Sequence, residues 1–231
     1  MAEALIVAVL GAESTGKTTL AAALAARLTQ ETGLAVTWVP EWLRRWCDEH
    51  DRTPRADEQA AIAQTQHVQI GTAAASHDIV VCDTTALMTA VYSRLLFRDR
   101  SLEALALALH RRVSLTLLTA LDLPWVADGH QRDGAHVRVP VDAAVRELLI
   151  ANRLPWALVS GSGEERVESA LDAVAPLLRS RPTPRAGLFT RLAQRNADAP
   201  ERPWVCEHCD VPECEHAALR DNRSGRGGSV S

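Results

Sequence analysis

Short apolar runs alternate with longer stretches rich in alanine and leucine along the first 180 residues. Such runs are typical of strands buried in a parallel sheet, and the stretches between them are typical of crossover helices. The pattern predicts strands at residues 4–10, 34–39, 78–83, 114–119 and 156–160. It predicts helices at residues 19–28, 56–75, 86–96, 102–111, 140–152 and 164–179. Their alternation indicates an α/β fold with a five-stranded parallel sheet.

The composition changes after residue 180, where prolines and arginines replace the apolar runs. Residues 1–180 are therefore predicted to form one α/β domain, and residues 181–203 a linker. Residues 204–217 contain a cysteine and histidine cluster, and the glycine- and serine-rich residues 218–231 are predicted to be disordered.

A glycine-rich segment joins the first predicted strand to the first predicted helix. Gly11-Ala12-Glu13-Ser14-Thr15-Gly16-Lys17-Thr18 matches the pattern of a phosphate-binding P-loop. Lys17 is the only lysine of the chain, which otherwise uses arginine. A lysine ammonium is a compact charge that fits under a crowded loop, whereas a guanidinium is wide and planar. The alternative is a glycine turn before an ordinary helix, but the strand–loop–helix context favours a P-loop.

The P-loop predicts ATP and Mg²⁺ as cofactors. Loop N–H groups and the helix N terminus bind the α- and β-phosphates in such sites. Lys17 is predicted to reach the β- and γ-phosphates, and the Thr18 hydroxyl to ligate Mg²⁺. The predicted nucleotide-binding residues are Gly11, Ala12, Glu13, Ser14, Thr15, Gly16, Lys17, Thr18 and Thr19.

The third predicted strand ends in an acid, Asp83. An apolar strand that ends in aspartate one crossover after a P-loop is typical of a Walker B element. Its carboxylate would hold Mg²⁺ opposite Thr18. The alternative is an aspartate that only caps the following helix.

The segment after the second predicted strand carries candidate acceptor-site residues. Glu41 is predicted to act as the base or orienting group for an acceptor hydroxyl. Arg44 would bind a phosphate or brace Glu41, and Trp42 or Trp46 would stack on a ring. The alternative is the start of an amphipathic helix with its charges in water.

Residues 122–134 combine proline, tryptophan, glycines and both signs of charge. They are predicted to form a lid that closes on ATP and expels water. Arg132 is predicted to stabilise charge on the transferred phosphoryl group, with Arg138 as a second candidate. The predicted catalytic residues are thus Lys17, Glu41, Asp83 and Arg132. The alternative is a solvated surface loop.

Together these stretches resemble the kinase domain of the NadR family, a group of P-loop ribosylnicotinamide kinases. The resemblance covers about residues 4–180 and is most specific in Pro124-Trp125-Val126-Ala127-Asp128-Gly129. It implies the strand order 2-3-1-4-5 and ATP-dependent phosphorylation of the 5′-hydroxyl of nicotinamide riboside, a step of NAD salvage. It also implies substrate contacts at Trp125 and Asp128, beside those at Glu41, Trp42 and Arg44.

Three features depart from the family pattern. Fused members carry a nucleotidyltransferase domain before the kinase, whereas the first strand begins here near residue 4, so that activity is expected to be absent. The family often has Asp-Thr-Asp where this chain has Asp83-Thr84-Thr85. The lid arginine is shifted by one position, because Gln131 precedes Arg132. A different nucleoside-like acceptor therefore stays an alternative.

Cysteines cluster near the C terminus. Cys206, Cys209, Cys214 and His216 are predicted to form a four-coordinate structural zinc site, with His208 as an alternative ligand to His216. A redox cluster and a disordered tail are the other readings of this segment. Two further cysteines, Cys47 and Cys82, stand alone and are predicted to be buried and reduced.

Charge and hydropathy exclude several classes of partner. A net charge of −4 provides no general attraction to nucleic acid, and no apolar run approaches the length of a membrane span. A cytoplasmic enzyme that acts on small molecules is predicted. The second hypothesis is a regulatory P-loop ATPase whose nucleotide state controls an unknown partner of the tail. A zinc-binding module with a vestigial P-loop is disfavoured by the intact Lys17, Thr18 and Asp83.

Overall fold

The apolar runs of the sequence form the strands of one parallel sheet. The computed structural model describes residues 3–126 and 135–179 of the chain. The strands are β1 (Leu5–Leu10), β2 (Val36–Val39), β3 (Ile79–Asp83), β4 (Leu115–Thr119) and β5 (Trp156–Val159). They lie in the order β2-β3-β1-β4-β5, so the predicted five-stranded sheet and its order are confirmed.

Helices connect the strands. They are α1 (Lys17–Thr32), α2 (Trp42–His50), α3 (Gln59–Ala74), α4 (Ala86–Phe97), α5 (Glu103–His110), α6 (Arg138–Ala151) and α7 (Gly163–Arg179). Short 3₁₀ turns at Ala56–Glu58 and Ala135–Val137 precede α3 and α6. The predicted helices are present with bounds that differ by a few residues, and α2 occupies the segment that follows Glu41. No helix in the described ranges is long and apolar enough to cross a membrane.

Glycines set both ends of α1. Gly16 (φ 75°) precedes the helix and Gly33 (φ 65°) follows it, and both adopt the left-handed conformation that glycine tolerates. The Gly33 N–H donates to the carbonyl oxygen of Thr29 and closes the C terminus of the helix. The sequence pattern predicted a shorter helix, at residues 19–28, because apolar periodicity does not extend into the polar first and last turns of α1.

Alternate side chains of β1 point to opposite faces of the sheet, and helices cover both faces. Val7 and Val9 pack in a cluster with α1 and α7, whereas Ala8 and Leu10 pack with α3 to α6. Every residue of β1 is buried. Burial of a large apolar side chain contributes roughly 1.5–3 kcal/mol. The two-sided core therefore holds β1 firmly at the centre of the sheet.

The strand order creates a crevice at the carboxyl end of β1. This strand lies between β3 and β4, with Val9 opposite Asp83 and Leu10 opposite Leu118. The connections that follow neighbouring strands turn away to opposite sides at this point of the sheet. Doubly wound sheets bind their ligands at such a point. The segments after β1, β3 and β4 are consequently neighbours.

Cys47 and Cys82 are buried free thiols, as predicted. Burial raises the pKa of the Cys82 thiol well above its usual range, and the negative charge of Asp83 adds to the effect. Since the thiolate is the reactive form, Cys82 is inert packing material of the core.

A buried histidine joins the end of α5 to the segment after β3. His110 is 2% exposed, and its Nδ1 lies 2.9 Å from Thr85 Oγ1 and its Nε2 2.8 Å from Thr116 Oγ1. Thr85 also caps α4 by accepting a hydrogen bond from the Leu87 N–H. Burial lowers the pKa of His110 to about 4, because the imidazolium would lose its hydration.

The stability of the protein should therefore fall as the pH decreases from about 6.5 to about 4. In this window the unfolded chain binds a proton at this histidine and the folded chain does not, so unfolding is favoured at lower pH. The loss from this group alone is about 3 kcal/mol at pH 4. His110→Gln should remove that part of the pH dependence, as measured by urea unfolding at several pH values.

Thr116→Val serves as the matched control for this prediction. It removes the hydrogen bond to Nε2 and keeps the imidazole, so it should lower the free energy of unfolding at pH 7 by about 1 kcal/mol. The steep dependence between pH 6.5 and pH 4 should remain. Identical pH dependence in His110→Gln and the unaltered protein would contradict the prediction.

Candidate active site

The glycine-rich loop lies at the carboxyl end of β1, where the chain turns into α1. Gly11 has a φ of +152°, and a Cβ atom there would lie 2.0 Å from Thr119 Oγ1 at the end of β4. This position therefore admits glycine alone. Ser14 and Gly16 also have positive φ angles, of 54° and 75°. Backbone conformations of this kind form concave nests of N–H groups that bind anions.

Two threonines fasten the loop to the sheet. Thr15 Oγ1 donates a 2.8 Å hydrogen bond to the carbonyl oxygen of Ala12 and lies 2.7 Å from Thr119 Oγ1. Thr119 Oγ1 also donates to the carbonyl oxygen of Leu10, at 3.2 Å. Both threonines are buried. The loop thus keeps its shape through contacts beneath it.

Lys17 begins α1 and reaches back across the loop. Its Nζ donates a 2.8 Å hydrogen bond to the carbonyl oxygen of Ala12. The N-cap residue of α1, Gly16, makes no side-chain hydrogen bond to the first turn of the helix, and the N–H groups of such a turn suit an anion. The ammonium and these N–H groups together form the positive wall of a phosphate site.

A cleft of about 610 Å³ opens over the loop. Its walls include the loop itself, Arg44 from α2, and Leu123 and Val126 from the segment after β4. The Val126 N–H donates a 2.8 Å hydrogen bond to Ser14 Oγ, and Leu123 lies against Gly16. The cleft is large enough for a nucleotide-sized ligand.

Asp83 and Thr18 meet at the edge of this cleft. Thr18 Oγ1 donates a 2.5 Å hydrogen bond to Asp83 Oδ2. Burial raises the pKa of Asp83, while the Thr18 hydroxyl and the charges of Lys17 and Arg44 act in the opposite direction. The structure therefore brings together the residues that the sequence assigned to Mg²⁺.

The oxygen atoms of this pair suit Mg²⁺. Mg²⁺ takes oxygen ligands and is commonly bound by one or two protein groups together with nucleotide phosphates. Asp83 Oδ1 is buried and has no hydrogen-bond partner among the described residues. A cation is the partner that such an oxygen most readily accepts. Thr18 and Asp83 therefore fit the role of protein ligands.

Glu41 lies between β2 and α2, with Pro40 before it, and a buried glutamine fixes its backbone. Gln66 on α3 accepts a 2.6 Å hydrogen bond from the Trp42 N–H and donates to the carbonyl oxygen of Pro40 at 3.3 Å. The amide thus holds the chain on both sides of Glu41. Thr84, directly after Asp83, donates a hydrogen bond to the Glu41 carboxylate.

Burial and four neighbouring groups act on the charge of the Glu41 carboxylate. Burial is the largest influence and raises the pKa of Glu41. The charge of Lys17 lowers it, that of Asp83 raises it, and Arg44 and the hydrogen bond from Thr84 lower it. A carboxylate whose pKa moves toward the working pH becomes a more effective general base. The charges of Lys17 and Asp83 thus act on Glu41 as well as on each other.

The two threonines after Asp83 have different roles. Thr84 has a φ of 67°, which is costly for a β-branched residue, and its N–H donates to the carbonyl oxygen of Val9 at 3.1 Å. This conformation accompanies the contact of its hydroxyl with Glu41. Thr85 instead uses its hydroxyl within the fold, at the N terminus of α4 and against His110.

Among the other predicted substrate residues in the described ranges, Arg44 lines the cleft, where it is exposed. Trp42 is half-buried, and the guanidinium of Arg45 lies 5.3 Å from its ring centre, a cation–π contact. Trp125 is half-buried and precedes Val126. Arg138, the alternative phosphoryl contact, is buried and donates a 2.9 Å hydrogen bond to the carbonyl oxygen of Leu123.

Several predictions fall outside the described residues and remain predictions. They concern Asp128 and Arg132 of the predicted lid, the linker at 181–203, the predicted zinc ligands Cys206, Cys209, Cys214 and His216, and residues 218–231. Within 3–126 and 135–179, no group of three or more His, Cys, Asp or Glu side chains is arranged to hold a metal ion.

Sequence analysis missed some residues that shape the site. Thr119 ends the fourth predicted strand, and the strand order 2-3-1-4-5 would have placed it beside the P-loop. Thr84 belongs to the segment that was compared with the NadR family, but the sequence assigned no role to it. Gln66 and Arg166 lie on helices and carry no local signal, because Trp42 is 24 residues from Gln66 and Thr15 is 151 residues from Arg166.

The loop, its lysine, the Thr18–Asp83 pair and the strand order define a P-loop NTPase fold of the kind found in nucleotide and nucleoside kinases. Residues 6–166 match the model of a family described as an AAA domain. This match covers more than half of the 231 residues, and the protein belongs to that family. Curated proteins give no significant match to the chain.

Solved structures share the fold. Two crystal structures of NadR protein, one in complex with NAD and AMP-PNP and one with NR, align with TM-scores of 0.61. Their identities are 20% and 21%, and the alignments cover 78% and 77% of this chain and 51% and 52% of the NadR chains. The chain thus spans about half the length of those proteins. Thymidylate kinase from Ehrlichia chaffeensis aligns with a TM-score of 0.54 at 15% identity, over 76% of this chain and 100% of its own. These likenesses confirm the fold implied by the NadR resemblance.

Proposed function

We propose that the protein is an ATP-dependent kinase that phosphorylates the 5′-hydroxyl of nicotinamide riboside or a similar nucleoside. The observation that carries this proposal is the half-buried carboxylate of Glu41, which is hydrogen-bonded to Thr84 and interacts with the charges of Lys17 and Asp83. A phosphate-binding loop is common to all P-loop proteins and does not by itself indicate a kinase. A carboxylate of raised pKa close to it supplies the base that a hydroxyl acceptor needs.

The P-loop and Lys17 position the donor in the proposed reaction. The N–H groups of the loop and of the first turn of α1 bind the phosphates of ATP. Lys17 exchanges its bond with the Ala12 carbonyl for phosphate oxygens and lies near the γ-phosphoryl group. Mg²⁺, held by Thr18 and Asp83, would neutralise phosphate charge when bound.

Glu41 and its neighbours act on the acceptor. The Glu41 carboxylate accepts the proton of the attacking hydroxyl. At the same time the hydroxyl oxygen bonds to the γ-phosphorus, and the bond between the γ-phosphorus and the leaving ADP breaks. Gln66 fixes the backbone of Glu41, and Thr84 orients its carboxylate. Arg44 at the cleft wall adds positive charge near the transferred group.

The acceptor class is supported by the solved relatives. One NadR structure contains NR, another contains NAD with an ATP analogue, and the third relative is a thymidylate kinase. The same fold therefore serves a triphosphate donor and ligands built on a nucleoside. The 5′-hydroxyl of a riboside is the chemically equivalent acceptor for this chain.

The test is ADP release from the purified protein with Mg·ATP, with and without nicotinamide riboside, and mass spectrometry for the mononucleotide. We expect ADP release that requires the riboside and one mononucleotide formed for each ADP. Other nucleosides, tested in parallel, would define the acceptor if nicotinamide riboside is not used. Lys17→Ala protein, prepared identically, provides the background of contaminating ATPases.

ADP release at the same rate with and without every nucleoside would contradict the kinase proposal. Glu41 would then activate water, and the protein would act as a P-loop ATPase, which is the regulatory alternative. Product analysis separates these cases directly, since only the kinase forms a phosphorylated nucleoside.

A further inference from the structure

A buried arginine on α7 contacts the phosphate loop. The side chain of Arg166 is 4% exposed, although it carries a full charge. Its Nε donates to the carbonyl oxygen of Gly161 at 2.8 Å, one terminal nitrogen donates to that of Thr15 at 3.1 Å, and the other donates to Asp122. A single side chain thus joins the P-loop to the segments after β4 and β5.

Asp122 completes this set of contacts. Its Oδ1 accepts from Arg166, and its Oδ2 accepts a 2.7 Å hydrogen bond from the Gly161 N–H. A buried guanidinium is stable only with a counter-charge and with its N–H groups hydrogen-bonded. Asp122 supplies the charge, and the carbonyl oxygens of Thr15 and Gly161 accept the other hydrogen bonds.

The bond to Thr15 has a consequence for phosphate binding. A peptide group is planar and trans, so the carbonyl of one residue and the N–H of the next point in opposite directions. When Arg166 holds the Thr15 carbonyl, it also sets the direction of the Gly16 N–H. Gly16 and Lys17 line the cleft, whereas the Arg166 contact is buried. The N–H is therefore directed toward the cleft.

We propose that Arg166, held in place by Asp122, is a positioning residue that preforms the P-loop for phosphate. It acts through the Thr15–Gly16 peptide and contacts neither ATP nor the acceptor. The proposal rests on the proposed function in one respect, which is that the cleft binds a nucleoside triphosphate. It goes further by assigning a role to a residue outside the P-loop motif.

If Arg166 had a purely structural role, it would only attach α7 to the rest of the domain. Arg27 attaches the same helix and therefore provides a matched comparison. Arg27 lies on α1 and forms ion pairs with Glu164 and Glu168 of α7. It thus fastens the same helix as Arg166 and has no contact with the P-loop among its hydrogen bonds. Replacing either Arg27 or Arg166 should loosen the attachment of α7. Only replacing Arg166 should also disturb the geometry of the P-loop.

The experiment is titration calorimetry of the full chain with Mg·ATP, combined with thermal unfolding, for Arg166→Met, Arg166→Lys and Arg27→Met. We expect Arg166→Met to raise the Kd for Mg·ATP roughly 10- to 100-fold. Arg166→Lys keeps the charge next to Asp122, but a point charge cannot bridge the Thr15 and Gly161 carbonyls as a planar fork does. It should therefore fold stably and still raise the Kd about tenfold. Arg27→Met should leave the Kd within about twofold of the unaltered protein.

Turnover provides a second readout. The Arg166 variants should raise the KM for ATP while kcat at saturating ATP stays within about threefold, because bound phosphate restores the loop geometry. Arg166→Lys with an unaltered Kd would overturn the proposal, as would an equal loss of affinity in Arg27→Met. Mg·ATP binding without any phosphorylated nucleoside would reject the proposed kinase, and the Arg166 titrations would still decide this inference. Failure of the unaltered protein to bind Mg·ATP would reject both.

Discussion

Lys17→Ala should lower turnover by roughly 10²- to 10³-fold, the usual cost of removing one group that stabilises transition-state charge. Lys17 reaches across the loop, with its Nζ 2.8 Å from the Ala12 carbonyl oxygen, and its charge acts on both Glu41 and Asp83. Without it, the developing charge on the γ-phosphoryl group loses its main protein partner. Initial rates of ADP and product formation at saturating Mg·ATP measure the effect.

Two further variants sharpen this prediction. Lys17→Arg keeps the positive charge but is too wide for the loop, so it should remain close to Lys17→Ala in activity. Arg27→Met removes a positive charge from the same helix outside the cleft and should keep most of the activity. Turnover of Lys17→Ala equal to that of the unaltered protein would disprove the P-loop assignment.

Glu41→Gln should lower kcat by about 10²- to 10⁴-fold, the range expected for loss of a general base. The carboxamide has nearly the same shape and keeps a contact for the Thr84 hydroxyl, but it cannot accept a proton from the acceptor. The Kd for Mg·ATP should change less than about threefold, because Glu41 is assigned to the acceptor side of the cleft. Calorimetry for binding and rapid-quench measurements of product formation separate the two quantities.

The pH profile gives an independent check on Glu41. Burial raises the pKa of Glu41 above its ordinary value of 4.5, and the base works only when deprotonated. Turnover should therefore fall as the pH decreases through that raised pKa, and Glu41→Gln should lack this limb. Glu49→Gln, at an exposed acid of α2 that pairs with Arg45, serves as the control and should behave as the unaltered protein. Loss of ATP binding in Glu41→Gln without an effect on kcat would contradict the assignment.

Much of the fold followed from the sequence because its signals are local. The apolar run of β1, the glycines of the loop and the alanine-rich start of α1 are contiguous, and each restricts the backbone by its own chemistry. The apolar strand that ends at Asp83 is a local signal of the same kind. The strand order came from the family resemblance, since local patterns do not say which strands pair.

The acceptor side of the site was only partly predictable. Glu41 could be singled out because it follows a strand at the ligand-binding edge of the sheet. The sequence left open whether this segment begins a helix or binds a ligand, and the structure shows α2 beginning directly after Glu41. Its contact with Thr84 and the clamp by Gln66 join strands and helices that are distant along the chain.

The sequence by itself determined the parallel α/β fold, the phosphate loop and the Lys17, Thr18 and Asp83 set, because these depend on short contiguous patterns. The tertiary structure alone decided which polar groups support that loop. Arg166 meets Thr15 across 151 residues, and Thr119 meets Thr15 across 104. Such contacts arise when the sheet brings the carboxyl ends of its strands together, and the cost of burying a charge selects the few residues that can occupy the space between them.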